Sequence, residues 1–184
     1  MLSTRWNQLP STLTPIGTLL LSLTPSSVAF TDWPDGSIRS SLHDSWIVFR
    51  GANQPNLLLG EPCCAGEFSE ADWIAEVDGL PKLISEFGNL QIGMLPPCFG
   101  FRVGGRLVHQ SDTELCWGVT GDWENALPIF HDGSGNTICV STDGKVGIRS
   151  PHQFQNVATT LGDFVTMFVK RQRTGKSPQR EWWW

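Results

Sequence analysis

The apolar positions of this chain change period along its length, and the changes mark its elements. Ile16, Leu19, Leu20 and Leu23 recur on one helical face behind Thr14 and Pro15, which read as N-cap and first helical position. WIVF (46–49) and LLL (57–59) are short apolar runs closed by Gly51 and Gly60, and these read as strands. SEADWIAEV (69–77) returns to helical spacing: Ser69 and Asp72 form a capping-box-like pair, and Trp73, Ile74 and Val77 share a face. LPKLISEFG continues with Leu83, Ile84 and Phe87, separated by Pro81 from the preceding helix and ended by Gly88.

Beyond residue 100 the pattern turns strand-like. FRV and RLV (101–108) flank Gly104-Gly105 and predict a hairpin, and LCWGV (115–119) predicts a further strand. LPIF (127–130), TICV (137–140) and KVGI (145–148) then alternate with turn-forming residues. The closing stripe, Val157, Leu161, Phe164, Val165 and Phe168, predicts an amphipathic helix over 157–169. The order predicts an α+β fold: a mostly antiparallel, curved sheet with helices packed on it and a C-terminal amphipathic helix. One domain over residues 1–170 is expected, with 171–184 as a basic, Trp-ended, solvated tail.

HDGSGNTICVSTDGKVGIRS (131–150) needs a decision between a ligand loop and a scaffold. Asp132, Ser134, Asn136 and Asp143 occupy positions one, three, five and twelve of a calcium-type loop. Thr137 stands where the sharp bend needs Gly, and both flanks are strand-like instead of helical. GSGN is not followed by Gly-Lys-Ser/Thr or a helix, so a phosphate loop fails too. The glycines serve turns of an antiparallel meander, with Asp143-Gly144 at the centre of the second.

Charge adds direction to this picture. The net charge is −5, but the last fifteen residues hold five basic residues against Glu181. The remainder carries 8 basic and 17 acidic residues, a net of −9. No Lys or Arg falls between Arg106 and Lys145, where Asp112, Glu114, Asp122, Glu124, Asp132 and Asp143 lie. Glu61, Glu67, Glu70, Asp72, Glu76 and Asp78 form a second acidic run. Such a body repels nucleic acid and steers basic protein partners inward; its plainer reading is a solvated acidic face.

Chemistry-bearing motifs are sparse. GxSxG, HExxH and a dinucleotide fingerprint are absent, and the four histidines stand apart from ligand partners. Glu67, Glu70 and Asp72 could supply paired carboxylates, although a helix start favours acids for dipole reasons. Five cysteines without CxxC spacing predict buried, reduced thiols and no zinc site; no cofactor and no metal are expected. IGTLLLSL (16–23) is short, broken by Thr and Ser and flanked by prolines, so an export signal is disfavoured and no segment is long enough to span a bilayer. A cytoplasmic protein is expected.

LPKLISEFGN, IGM, LPIFHDGSGNTICVSTDGKVGIRSP and NVATTLGDFVTMFV, in that succession, resemble the SUKH superfamily. The match falls on the Gly-rich turn from Ile129 to Val140, the Gly144–Val146 turn, and the closing helix from Val157 to Val169. It covers about half the chain, with motifs that are structural. Residues 1–65 diverge from the family's helical lead-in, and the Trp-ended tail is foreign to it. The resemblance implies an immunity protein that binds and neutralises a cognate toxin, a nuclease or deaminase, by occlusion without catalysis. On that reading Asp112, Glu114, Asp122, Trp123 and Glu124 are the candidate partner-binding residues, whereas Trp117 belongs in the core. The alternative is a non-enzymatic regulatory or scaffold module, whose tail contacts a membrane surface or partner through Lys170–Arg180 and Trp182–Trp184.

Overall fold

The computed structural model describes residue 6 and residues 8–29, 45–52, 54–60, 71–92, 99–103, 107–108, 123–132, 136–149 and 154–174. Nine strands form one antiparallel sheet in sequence order: β1 (Thr24–Ala29), β2 (Ser45–Gly51), β3 (Gln54–Leu59), β4 (Leu90–Ile92), β5 (Phe99–Phe101), β6 (Leu127–Asp132), β7 (Thr137–Val140), β8 (Val146–Arg149) and β9 (Phe154–Ala158). Four helices accompany it among the described residues: α1 (Thr14–Leu21), α2 (Trp73–Glu76), α3 (Leu80–Phe87) and α4 (Leu161–Arg173). The fold is of the α+β class, as expected.

The sheet wraps its helices. β3 and β9 are six strands apart, about 29 Å across a flat sheet. Both nevertheless contact α4, whose 13 residues span about 20 Å. Register shifts in β2, β6 and β8 supply places where the sheet bends. The concave side holds the main core. Phe49, Leu57, Leu59, Leu90, Ile92, Phe101, Ile129, Ile138, Val140 and Ile148 meet Ile16, Leu19 and Leu20 of α1, Leu83 and Phe87 of α3, and Leu161, Phe164, Val165 and Phe168 of α4. Phe101 and Phe130 together centre an aromatic cluster: the Phe101 ring centroid lies 5.1 Å from Phe130, 6.0 Å from Phe164 and 4.9 Å from Phe168, and Phe130 touches the same two helix rings.

The opposite face is also buried in part. Trp46, Val48 and Leu58 alternate with the core residues of β2 and β3 and are nearly inaccessible. Cys139 of β7 packs there with Val108 and Ala126. Burial drives its thiol pKa up to about 12, outweighing the nearby Arg149 charge. The other four cysteines lie outside the described residues.

Several boundaries differ from the sequence reading. Thr14 does not cap α1; Leu13 holds that position, and the Thr14 hydroxyl donates to the Pro10 carbonyl at 3.2 Å. The break between α2 and α3 falls at Val77–Gly79, where Val77 is extended and Gly79 adopts φ +80°, while Pro81 sits inside the first turn of α3. Ser69 and the strand expected at 115–119 lie outside the described residues. The turn of the hairpin expected at 101–108 lies outside the described residues, and its flanks have these partners. β5 ends at Phe101 and pairs with β6, while Val108 exchanges backbone hydrogen bonds with Asn125 and Ala126. The closing helix starts at Leu161 because Val157 belongs to β9; Thr160 caps it, accepting from the Asp163 N–H at 3.1 Å. Its last turn runs to Arg173, so Lys170, Arg171 and Arg173 are helical, and Gln172 is buried.

Candidate functional site

Four segments distant in sequence meet in a cleft of about 500 Å³ at the N-terminal end of α4. Glu76 ends α2, Val77 and Asp78 belong to the α2–α3 connection, and Thr142, Asp143 and Gly144 to the β7–β8 turn. Thr159 to Gly162 lead into α4, and Thr12 precedes α1. Buried Val77 and Leu161 supply the apolar part of the lining.

Each wall has a local reason. Gly144 takes φ +83°, a conformation that costs a side chain strain, and this allows the tight return from β7 to β8. The Gly144 N–H donates to the Ser141 carbonyl and the Ser141 N–H to the Lys145 carbonyl, both at 2.9 Å. Asp143 is fixed inside this turn: its Oδ1 lies 2.5 Å from the Ser141 hydroxyl, and its Oδ2 lies 2.5 Å from Lys145 Nζ. The Lys145 and Ser141 hydrogen bonds hold its carboxyl below the usual carboxylate range. Because the folded pKa is the lower one, this contribution is present above the unfolded value and is lost as pH falls through the folded value. The pair is solvent-exposed, so its weight in stability is small.

Across the cleft, the Thr12 hydroxyl donates to Asp78 Oδ2 and ties the segment before α1 to the α2–α3 connection. Glu76 and Asp78 are exposed at the rim; among the described residues no Lys, Arg or His lines the cleft, although Lys145 reaches Asp143 from beside it. Carboxylates and threonine hydroxyls on a partly apolar floor suit a cationic side chain carrying hydrogen-bond donors. Among the described residues no group of three His, Cys, Asp or Glu could hold a metal ion, and no helix is long and apolar enough to cross a membrane.

The partner-binding residues expected from sequence fare differently. Asp112, Glu114, Asp122 and Trp117 lie outside the described residues. Trp123 is half-buried against the Val108, Ala126 and Cys139 cluster on the second face of the sheet. Glu124 is exposed beside it, and neither lines the cleft. Of the residues considered above for calcium, Ser134 lies outside the described residues, and Asp132 and Asp143 fall at opposite ends of β7. Asp143 serves the β7–β8 turn, and Asp132 ends β6 paired with Phe99. In the sequence Glu76 and Asp78 stand out as members of an acidic run and Asp143 also as the centre of a turn; their convergence needs contacts such as Thr12–Asp78, 66 residues apart.

Comparison with family models, with curated proteins and with solved structures returns no match to this chain.

Proposed function

We propose that the chain is an immunity protein of SUKH type. It binds a basic toxin domain, a nuclease or deaminase, in the cytoplasm and blocks it by occlusion, without catalysis. The observation that carries this reading is the cleft. Glu76 and Asp78 face a recess whose one adjacent cation among the described residues, Lys145, is paired with Asp143, on a chain whose first 169 residues carry a net of −9. A nuclease must present positive charge to hold phosphates. An acidic recess mimics that field, speeds encounter and competes for the same basic residues. The α+β meander closed by a helix, with its tight turn at Asp143–Gly144, supports the reading.

Co-expression with the toxin domain encoded by the neighbouring reading frame tests the proposal. The wild-type chain should restore growth, and Glu76→Lys with Asp78→Lys should abolish protection while the protein stays folded by circular dichroism. Killing that continues in the presence of the wild-type chain contradicts inhibition. Protection retained by the charge-reversed variant contradicts the cleft as the contact.

A further inference from the structure

A second recess, of about 730 Å³, lies between α1 and the C-terminal half of α4, which pack against each other. Its volume is within the range of about 300–1,000 Å³ typical of ligand-holding recesses. One wall carries Thr14 and Thr18, one turn apart on α1. The facing wall carries Thr166, Lys170 and Arg173, at helical spacings of four and three on α4. Val169, buried, and Pro15 give it an apolar floor. Among the described residues no carboxylate lines it. Lys170 and Arg173 are exposed, and among the described residues neither makes an ion pair.

Cations in the last turn of a helix offset its dipole, which accounts for Lys170 and Arg173 being on α4. That effect does not require the hydroxyl row on α1 opposite them. The short threonine side chains leave the groove open. The Thr14 and Thr174 hydroxyls already donate to the Pro10 and Arg171 carbonyls and can only accept, while those of Thr18 and Thr166 can donate and accept. The two cations at one end select a negative occupant.

We propose that this groove docks an acidic, extended segment of a partner protein. Carboxylates of the segment meet Lys170 and Arg173, the threonine hydroxyls bond its backbone, and a small apolar side chain rests on Val169. The surface is separate from the acidic cleft, and the proposal stands without the toxin reading.

Fluorescence anisotropy of the full chain with a short fluorescein-labelled peptide alternating Glu and Leu tests it. The same peptide with Gln for Glu and phosphatidylserine vesicles are the comparisons. The acidic peptide should bind and weaken with added salt. Lys170→Glu with Arg173→Glu should weaken it about tenfold or more. Thr18→Glu, on the wall without α4's cations, should weaken it similarly, with helicity unchanged in both variants. Equal binding of the Gln peptide, indifference to either variant, binding to vesicles alone, or self-association of the chain without peptide binding would each overturn the proposal.

Discussion

Replacing Phe101 by Ala strikes the joint between the two halves of the sheet. β5 is three residues long, and its pairing with β4 rests on the single register pair Gln91–Gly100. Ring contacts therefore hold it where ladder hydrogen bonds are few. Phe101 is fully buried and takes part in three edge-on contacts, with Phe130, Phe164 and Phe168. Truncation of a buried Phe costs about 3–5 kcal/mol through lost transfer energy and the cavity left behind. Each lost aromatic pair is worth about 0.5–1.5 kcal/mol beyond area. These contacts overlap with the transfer cost, so about 4 kcal/mol is a reasonable total. A domain holds about 5–15 kcal/mol in all, so the variant should survive but be much weakened. With a urea slope of about 2 kcal/mol per molar, the midpoint should fall by about 2 M. Tryptophan fluorescence reads the transition, since the chain has nine Trp. Leu21→Ala, at a position 46% exposed, is the control and should move the midpoint by less than about 0.3 M. A shift for Phe101→Ala no larger than that of the control would refute the role given to the aromatic hub.

Other consequences follow from single residues. Gly100 has φ +131°, and a Cβ there would lie 2.5 Å from the Leu90 carbonyl oxygen, so Gly100→Ala should cost about 2–4 kcal/mol in urea titration. Gly144→Ala should cost about 1 kcal/mol, because its Cβ would meet only Val77 at 3.7 Å and the strain is in φ alone. Thr160→Ala should lower Tm by about 2–4 °C through loss of the α4 cap, and Thr160→Ser should restore most of it. With Cys63, Cys64, Cys98 and Cys116 changed to Ser, Cys139 should resist Ellman's reagent at pH 8 until urea unfolds the chain; rapid labelling of native protein would contradict its burial.

The sequence was most legible where burial forces a pattern. β2, β3, β6, β7 and β8 coincide with apolar runs because each lies inside the sheet, where at least one face must be apolar. The two edge strands escaped notice. β1 reads TPSSVA, with Pro25 tolerated because an edge strand can lack a ladder donor, and β9 reads FQNVA, whose Val157 also fits the helical stripe that follows. The Gly-Gly pair at 104–105 lies outside the described residues; of the segments flanking it, Phe101 joins β6 and the aromatic cluster, and Val108 bonds the backbone at Asn125 and Ala126. The candidate cleft was half legible: its acids stood out as charge runs, but their meeting depends on long-range packing of Thr12, Val77 and Gly144. No local pattern encodes that.

The most direct test of the proposed toxin binding is the association rate of the purified chain with a toxin domain from a neighbouring reading frame, followed by stopped-flow fluorescence across ionic strength. The account predicts fast association that slows steeply with salt, and a loss of about tenfold or more for Glu76→Lys with Asp78→Lys at low salt. No complex at micromolar concentration, or a rate indifferent to both salt and charge reversal, would contradict it.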